Sequence, residues 1–323
     1  MQLQNNPFLT IEQDLKQLNL NLQSMIKAKN PILYAAAEHL FSAGGKKIRP
    51  SIILIIAKAL SPSSAPLLEH RRLAEITEII HTASLVHDDI IDDCATRRGI
   101  ETVHSTFSNK IAILAGDFLF AQSSWYLANL NNLLVVKTIS KVITDFAEGE
   151  VRQGSTNFDT TLSVNDYIEK SFYKTASLIA SSCQGTAMLS KCEPDIINKL
   201  YLYGKHIGLS FQIVDDILDI VSSKDVLGKP QGSDLKNGNL TAPIMFTLTE
   251  DQQIIAFLYE ELENISNIDH IIYRIKDTKS INKAKDLAQE HLQMAVDLIQ
   301  DIQISINSQD ILSISNYIVN RIN

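Results

Sequence analysis

Apolar residues recur at spacings of three and four along almost the whole chain, which is the period of an amphipathic α-helix. From Ile11 onward this pattern is interrupted only by short stretches that contain Gly, Pro or clustered polar residues. Two segments, 69–93 and 193–222, are apolar on more than one face, as helices in the middle of a bundle are. No segment alternates with the period of two that a strand requires. The pattern predicts an all-α protein, with one large helical bundle formed by a single domain over residues 1–323.

Composition supports the helical prediction and narrows the classes of partner. The 323 residues include only 12 Gly and 8 Pro, so few helix breaks are available. A formal net charge of −8 argues against a nucleic-acid partner, because binding a phosphate backbone needs a basic surface. It does not exclude a diphosphate substrate, since Asp and Glu can bind cations that in turn bind phosphate. Cys94, Cys183 and Cys192 lack metal-ligand spacing and indicate a reducing compartment without a disulfide framework.

No segment is predicted to cross a membrane or to direct export. The sequence contains no run of about eighteen uncharged apolar residues. Residues 1–15 lack both the apolar region of a signal peptide and the basic, acid-poor character of a transit peptide. We therefore expect the protein to act in the compartment where it is made.

The first predicted central helix carries the sequence Leu-Val-His-Asp-Asp-Ile-Ile-Asp-Asp over residues 85–93. Asp88 and Asp92 are four residues apart, so their carboxylates share one helix face, with Asp89 beside them. Like charges at that spacing repel, and a divalent cation would relieve the repulsion. Oxygen-only ligands suit magnesium, which keeps bound waters and shares phosphate oxygens. A solvated acidic helix face is the alternative interpretation of this motif taken alone.

A second copy of the motif makes the metal interpretation the favoured one. Residues 211–219 read Phe-Gln-Ile-Val-Asp-Asp-Ile-Leu-Asp and place Asp215, Asp216 and Asp219 on the other central helix. Two aspartate-rich patches on two central helices are predicted to face each other across the bundle, with a magnesium cluster between them.

Positively charged residues accompany both motifs, and guanidinium and ammonium groups suit metal-bound oxyanions. Any one of them is as readily explained as a solvated surface residue, so the inference depends on the set. The candidates are Lys46, Arg49, Arg97, Arg98, Lys174 and Lys229. His81 precedes Asp88 by seven residues, lies on the same helix face and is a further candidate, whereas His87 lies off that face and is predicted to be structural.

In their order and spacing, several short blocks resemble those of the trans-isoprenyl diphosphate synthase family over nearly the whole chain. The blocks are 45–50, 88–92 followed by 97–99, 116–117, 174–175, 211–212, 215–219 and 228–229. Within the family, segments 87–99, 115–131 and 232–243 most resemble the plastid and cyanobacterial solanesyl diphosphate synthases. The resemblance implies the helical isoprenoid synthase fold and a prenyltransferase that joins isopentenyl diphosphate to an allylic diphosphate such as farnesyl or geranylgeranyl diphosphate.

The resemblance also implies a role for each candidate residue. Three magnesium ions would bind the allylic diphosphate, two held by Asp88 and Asp92 and the third by Asp215, with Asp89, Asp216 and Asp219 in support. Arg97, Lys174 and Lys229 would complete the allylic site, and isopentenyl diphosphate would bind to Lys46, Arg49, His81 and Arg98. Thr175 and Gln212 would direct oxygen dipoles at the allylic cation that forms when the diphosphate leaves. The departed diphosphate would remove the proton, so no side-chain base is required.

Product length is expected to be set near the first motif. If the diphosphate is bound at Asp88, the growing tail runs back along the helix past Ala83 and Ser84, where short-chain relatives carry a bulky aromatic residue. Two small side chains predict an open tunnel and a long product. The resemblance implies solanesyl diphosphate, with nine isoprene units, for the side chain of plastoquinone. Another product length, and ubiquinone or menaquinone as the quinone, remain alternatives.

The chain departs from the family pattern at one position. Asn239 stands where the family often has a lysine late in the loop that follows the second motif. The nearby Lys236 is one residue that could replace the missing charge.

The family resemblance also predicts partners and location. It implies a homodimer and transient membrane contact for product release. A content rich in Ile, Asn and Lys fits a plastid-encoded protein of the chloroplast stroma, and a cyanobacterial cytoplasm fits equally.

The second motif also argues against several rival functions. A class I terpene cyclase shares the fold but usually carries an Asn/Ser/Glu-type second metal motif, unlike residues 215–219. A histidine–aspartate phosphohydrolase or a di-iron bundle would need ligand motifs that the sequence lacks. A non-catalytic subunit of a heteromeric prenyl synthase tends to lose one acidic patch, and both are intact here.

Overall fold

A computed structural model describes residues 6–42, 44–63, 65–222, 231–251, 253–255, 268–302 and 308–322. These residues are helical almost throughout, which confirms the all-α prediction. The α-helices are α1 (Glu12–Met25), α2 (Pro31–Ser42), α3 (Ile48–Leu60), α4 (Leu68–Ile91), α5 (Val103–Thr106), α6 (Asn109–Ala128), α7 (Leu133–Ser155), α8 (Val164–Ser171), α9 (Ser177–Leu189), α10 (Pro194–Val221), α11 (Ser233–Lys236), α12 (Ala242–Glu250), α13 (Ile268–Asp277), α14 (Ser280–Asp301) and α15 (Ser308–Val319). Short 3₁₀ turns at Leu9–Ile11 and Asn320–Ile322 flank the first and last of them.

The chain forms two compact units. The first comprises Met1–Ile143, Leu178–Gly204 and Asp297–Ile314, and the second comprises Thr144–Ser177, Lys205–Val296 and Ser315–Asn323. The first aspartate motif belongs to the first unit, and the second motif belongs to the second unit. A single domain over 1–323 stays a prediction, as does the facing of the two motifs across a bundle.

Helix α4 is the central helix of the first unit. It packs against α1, α2, α3, α5 and α6. Apolar residues on several of its faces are fully buried, among them Leu73, Ile76, Ile80 and Ala83. A helix buried on several sides needs apolar residues all round, which is the pattern seen in its sequence. The prediction of a central helix over 69–93 is thus confirmed for α4.

A β-hairpin follows the first aspartate motif and is the only sheet among the described residues. Strand β1 (Thr96–Arg97) pairs antiparallel with β2 (Ile100–Glu101). The two residues between them, Arg98 and Gly99, both have left-handed backbone angles, with φ of 52° and 79°. Two left-handed residues are the signature of the tight hairpin turn whose twist matches the strands. The turn fixes the direction in which Arg97 and Arg98 leave the backbone.

In the second unit, close packing brings α10 against the segment that follows α8. Helix α8 begins at a capping box in which Ser163 and Asp166 satisfy each other's backbone N–H groups. It continues into a π-helical turn at Phe172–Ala176, a feature often found at functional sites. A Cβ at Gly208 of α10 would lie 2.7 Å from the Cα of Ala176, so only glycine allows this approach. The contact brings Thr175 within reach of Gln212.

Helix α6 is long and apolar enough, by length and composition alone, to cross a bilayer. The same criterion is met by core helices of globular proteins, and α6 packs against α4 and α2. It is the one described helix of this kind and gives weak evidence for a membrane span.

Candidate active site

The first aspartate motif lies at the C-terminal end of α4. The helix ends at Ile91, but the backbone N–H of Asp92 still donates to the carbonyl of Asp88, with a donor–acceptor distance of 2.8 Å. Asp88 and Asp92 are therefore one helical turn apart, as their spacing predicts. Both side chains are half-buried.

Asp89 is completely buried beside this pair and is held by the hairpin. The Nε and Nη2 atoms of Arg97 each lie 2.7 Å from Asp89 Oδ1. Burial raises the pKa of Asp89, and the charge of Arg97 opposes that rise. Asp89 Oδ2 is buried and accepts no hydrogen bond from the part of the chain that the structure describes. A buried carboxylate oxygen without a donor favours a bound cation or a cation-bound water nearby.

The second motif is organised around Asp216, which is almost fully buried. Its carboxylate accepts hydrogen bonds from the Tyr167 hydroxyl at 2.6 Å and from Gln212 Nε2 at 2.7 Å. Gln212 Oε1 in turn accepts from the Thr175 hydroxyl at 2.5 Å. Thr175, Gln212 and Asp216 thus form one hydrogen-bonded chain, and Tyr167 extends it beyond Asp216. The first three are predicted site residues, whereas the sequence gives no sign of Tyr167.

The acidic residues around Asp216 create a strongly negative buried region. Burial raises the pKa of Asp216 to about 8, and the charges of Asp234 and Asp215 add to that rise. Asp219 is also buried and accepts a hydrogen bond from Ser233 at 3.0 Å. This arrangement is one that a divalent cation would stabilise.

Asp215 is partly exposed and has a partner that the sequence did not suggest. Arg321 Nη1 lies 2.8 Å from Asp215 Oδ1. The guanidinium of Arg321 also lies over the ring of Phe211, 4.9 Å from its centroid. A C-terminal arginine therefore helps to orient the carboxylate that was predicted to hold the third metal ion.

The donor set fits magnesium. Every candidate ligand is a carboxylate, and hard oxygen ligands are those that magnesium prefers. Within the described residues no three His, Cys, Asp or Glu side chains converge as a ready-made metal cage. Magnesium commonly binds through one or two carboxylates, with waters and substrate phosphates completing its shell. The oxygen of Asp89 without a donor and the acidic surroundings of Asp216 support the fit.

A pocket rich in positive charge lies next to the first motif. Its lining residues are Leu40, Lys47, Glu78, His81, Thr82, Leu85, Arg97 and Arg98. The structure thus brings three predicted residues, His81, Arg97 and Arg98, together. Lys47 is paired with Glu78 and Arg97 with Asp89, and together with Arg98 these cationic groups suit an anionic ligand.

Lys47 lines this pocket and was not among the predicted site residues, while the role of Lys46 stays a prediction. Lys46 is exposed, whereas the Nζ of Lys47 forms an ion pair with Glu78 at 2.8 Å. Lys47 has a left-handed φ of 49° immediately before α3. Both lie in the block 45–50, but its sequence does not show which lysine points inward.

The predicted residue Arg49 contacts His81, which lines the pocket. Arg49 Nη1 lies 3.0 Å from His81 Nε2. Because a guanidinium can only donate, Nε2 of His81 is the acceptor. Burial lowers the pKa of His81 well below its usual value, and the charges of Arg49 and Arg98 add to the effect. His81 is therefore a neutral ring oriented by Arg49.

The turn before α3 needs glycine because of its backbone angles. Gly44 and Gly45 have φ of 69° and 146°, values that residues with a side chain rarely adopt. The Arg98 guanidinium donates to the Gly44 carbonyl and lies close to Gly45, where a Cβ would be 2.5 Å from its Nη1. The turn therefore places a backbone acceptor next to Arg98.

Lys174 lies in the π-helical turn of the second unit. Its Nζ is 2.8 Å from Glu150 Oε1 and donates to Gln153 Oε1 at 3.2 Å. Both partners come from α7 and were missed in the sequence. Lys229, the other predicted cation of this region, lies outside the described residues.

Asn239 forms a hydrogen bond with a lysine of α8. Its Oδ1 accepts a hydrogen bond from Lys170 Nζ at 2.5 Å. Lys236, by contrast, is exposed at the end of α11.

The predicted chain-length residues lie one turn and more before Asp88. Ala83 is fully buried, and Ser84 is half-buried with its hydroxyl donating to the His81 carbonyl at 2.9 Å. His87 packs on α6, where a Cβ at Gly116 would lie 2.2 Å from its Nε2. This packing agrees with a structural role for His87.

The helical architecture and the two aspartate-bearing helices define the class, an enzyme with the isoprenoid synthase fold. The structure of polyprenyl synthase from Caulobacter crescentus, complexed with calcium and isoprenyl diphosphate, superimposes with a TM-score of 0.91 at 26% identity, over 98% of each chain. The likeness confirms the fold that the resemblance implied.

The particular family follows from sequence comparison. The family model for polyprenyl synthetase matches residues 30–275, and the chain belongs to this family and is a prenyltransferase. A prenyl transferase of Porphyra purpurea is 55% identical over 98% of each chain. Chloroplastic solanesyl diphosphate synthase 1 of Arabidopsis thaliana is 48% identical over 92% of this chain and 73% of its own length. The predicted family and enzyme class are thus confirmed, while the roles of individual residues stay predictions.

Proposed function

We propose that the protein is a long-chain all-trans polyprenyl diphosphate synthase that makes solanesyl diphosphate. The observation that carries this proposal is the hydrogen-bonded chain of Thr175, Gln212 and Asp216, which prepares an oxygen-rich surface in the second motif. The intact first motif with its bound Arg97 supports a catalytic rather than a regulatory chain. The nine-unit product is supported by the similarity to chloroplastic solanesyl diphosphate synthase.

The cationic residues are proposed to bind the two substrates. Arg97, Lys174 and Lys229 bind the allylic diphosphate, and Lys46, Arg49, His81 and Arg98 bind isopentenyl diphosphate. Asp88, Asp92 and Asp215, with Asp89, Asp216 and Asp219 in support, would hold magnesium, which would supply positive charge to the leaving diphosphate. The pocket cation Lys47 adds to the charge available for isopentenyl diphosphate.

Other groups of the site are proposed to orient dipoles towards the reacting carbon and to position the base. Gln212 donates through its amide nitrogen to Asp216 and accepts from Thr175 through its carbonyl oxygen, so the remaining lone pairs of the Gln212 and Thr175 oxygens can stabilise a developing allylic cation. The isopentenyl double bond attacks this cation and forms the new carbon–carbon bond. The departed diphosphate, held by the cationic side chains, accepts the proton that is lost.

We further propose that the protein is a homodimer that associates through α6. Leu114 and Trp125 are 47% and 60% exposed. They are eleven residues apart, about three helical turns, and so lie on one face. Exposed large apolar residues that share a face mark a contact surface.

Glutamate substitutions on the exposed face of α6 are expected to dissociate the dimer. The double variant Leu114→Glu, Trp125→Glu should sediment as a monomer at concentrations where the natural chain is a dimer, because charged groups are poorly tolerated in an interface core. Leu20→Glu, at an exposed leucine of α1, is the control and should leave the dimer intact. A double variant that sediments as a dimer would exclude α6 as the interface.

The proposed product and the relatives suggest a cellular role. We propose that solanesyl diphosphate serves the plastoquinone side chain, in a plastid or in a cyanobacterial cytoplasm, with transient membrane contact for product release. The chloroplastic relative supports this location.

The proposed activity is tested directly with purified protein. Incubation with farnesyl or geranylgeranyl diphosphate, isopentenyl diphosphate and magnesium is expected to yield a ladder of products ending near nine isoprene units. Product lengths are measured by chromatography and mass spectrometry. A chelator should abolish elongation and added magnesium should restore it, because the diphosphate leaves only when its charge is neutralised.

Other results of this incubation would contradict different parts of the proposal. A ladder that ends at another length would contradict the solanesyl product but not the synthase activity. Complete absence of elongation would favour the terpene cyclase or the non-catalytic subunit. Elongation that is indifferent to the chelator would contradict the magnesium mechanism.

A further inference from the structure

Lys170 is a buried lysine that the predicted mechanism does not use. It lies near the end of α8 and is only 7% exposed, which is rare for a lysine. Its Nζ donates to Asn239 Oδ1 at 2.5 Å, and this is its only side-chain acceptor among the described residues. An ammonium group has three donors, and the amide oxygen of Asn239 accepts from only one of them. The carboxylates of Asp216, Asp234 and Glu150 act on Lys170 electrostatically, but no hydrogen bond joins them to its Nζ among the described residues, so donors are left for a further acceptor.

The surroundings of Lys170 are those of the proposed diphosphate site. Lys174 follows four residues later, in the π-helical turn. Burial lowers the pKa of Lys170, the charge of Asp216 opposes the shift, and Lys174 adds to it. Two lysines this close repel each other, and a bound polyanion would relieve the repulsion. Asp234 also acts on Lys170, so carboxylates and ammonium groups surround the same region, as a cation–diphosphate complex requires.

The backbone that carries Asn239 is fixed by contacts that do not involve Lys170. The backbone N–H of Asn239 donates to the Asp234 carbonyl at 2.9 Å. The preceding Gly238 has a left-handed φ of 75°, and its carbonyl accepts from the N–H of Phe158 at 2.9 Å. A Cβ at Gly238 would lie 2.4 Å from the Phe158 ring, so this turn depends on glycine. The loop therefore holds the backbone of Asn239 in place independently of Lys170.

We propose that Lys170 is a further binding residue for the allylic diphosphate and that Asn239 is the positioning residue for its ammonium group. The proposal rests on the synthase function proposed above. It also gives a physical reason for the departure at 239. A lysine at that position would place a second ammonium group against Lys170, so the positive charge comes from α8 and the loop provides an amide oxygen instead.

The proposal predicts a selective loss of diphosphate binding in Lys170→Met, which keeps the length of the side chain but removes its charge. Affinity for inorganic pyrophosphate with magnesium, measured by calorimetry, should fall about 10- to 100-fold, the usual effect of losing one hydrogen bond to a charged group. The KM for farnesyl diphosphate should rise by a similar factor, while the KM for isopentenyl diphosphate should change less than about threefold. Lys236→Met, which removes an exposed lysine of the same loop, is the control and should match the natural chain.

Exchanging the side chains at positions 170 and 239 distinguishes an effect on diphosphate binding from an effect on folding. Asn239→Lys alone should weaken pyrophosphate binding because two ammonium groups meet. The double variant Lys170→Asn, Asn239→Lys should bind pyrophosphate more tightly than Lys170→Asn alone, since one ammonium and one amide face each other again. If Lys170→Met does not fold, this exchange decides the question.

The outcomes distinguish this inference from the proposed function. Elongation by the natural chain with unchanged pyrophosphate affinity and KM in Lys170→Met would overturn the role of Lys170 alone. A natural chain that fails to elongate but loses pyrophosphate binding in Lys170→Met would overturn the synthase and retain the anion site. An exchange variant no better than Lys170→Asn would overturn the positioning role of Asn239.

Discussion

Replacing Asp88 by asparagine is expected to lower the condensation rate at least about 10²- to 10³-fold, the loss seen when one electrostatic contact to a developing charge is removed. Asparagine keeps the size of the side chain but not the negative charge that binds magnesium. Asp215→Asn should have an effect of the same order. The measurement is the single-turnover rate of the first condensation with farnesyl and isopentenyl diphosphates at a fixed magnesium concentration.

The fold should survive these changes. Asp88 and Asp92 repel each other when no cation is present, so Asp88→Asn should leave the melting temperature of the metal-free protein unchanged or raise it. A rate loss with retained stability therefore identifies a functional effect. Asp93→Asn is the matched control in the same motif. Asp93 is exposed and has a left-handed φ of 49°, a conformation that asparagine tolerates, so this variant should keep its activity. Full activity in Asp88→Asn or Asp215→Asn would contradict the metal assignment.

Replacing Ala83 by tyrosine is expected to shorten the product by several isoprene units. Ala83 is five residues before Asp88, about 7.5 Å along the axis of α4, and is fully buried. If the diphosphate binds at Asp88 and the tail runs along the helix, a side chain at position 83 closes its path. Ser84→Tyr should shorten the product too, because Ser84 flanks the same path. Product lengths resolved by mass spectrometry provide the measurement.

A graded series separates a blocked tunnel from a damaged core. Adding bulk at a fully buried position costs about 1–3 kcal/mol of stability whatever the function of the site. A loss of stability lowers the yield of every product equally, whereas a nearer tunnel floor shifts the distribution to shorter chains. Ala83→Val and Ala83→Leu should therefore give intermediate shifts. Ala57→Val, at a fully buried alanine of α3, should lower stability without altering product length. An unchanged product in Ala83→Tyr would contradict the proposed direction of the tail.

Local features of the protein could be determined from its sequence. Helix formation depends on side chains three and four residues apart, so the apolar spacing was sufficient to predict α4 and α10 and their buried character. The aspartates of each motif are likewise neighbours within one turn, and the hydrogen bond from Asp92 to Asp88 reproduces the predicted spacing. The order of the short motifs was sufficient for the family, which the comparisons confirm.

Contacts between distant segments were decided only by the tertiary structure. Arg321 pairs with Asp215 across more than a hundred residues, and Tyr167 pairs with Asp216 across 49 residues. Periodicity shows which face of a helix is buried but not which side chain of another segment covers it, so neither partner could be predicted. For the same reason the sequence did not show that folding brings Lys170 to Asn239.

Lys46 and Lys47 show that tertiary structure determines the surroundings even of two adjacent residues. The two side chains are adjacent and chemically identical, and the glycine-rich sequence before them permits many backbone paths. Lys47 has left-handed backbone angles and an ion pair with Glu78 on α4 and lines the pocket, while its neighbour Lys46 is exposed. The residue types needed for the chemistry are therefore encoded locally. Which of them meet is decided by long-range packing, because each contact depends on how two separately formed helices approach one another.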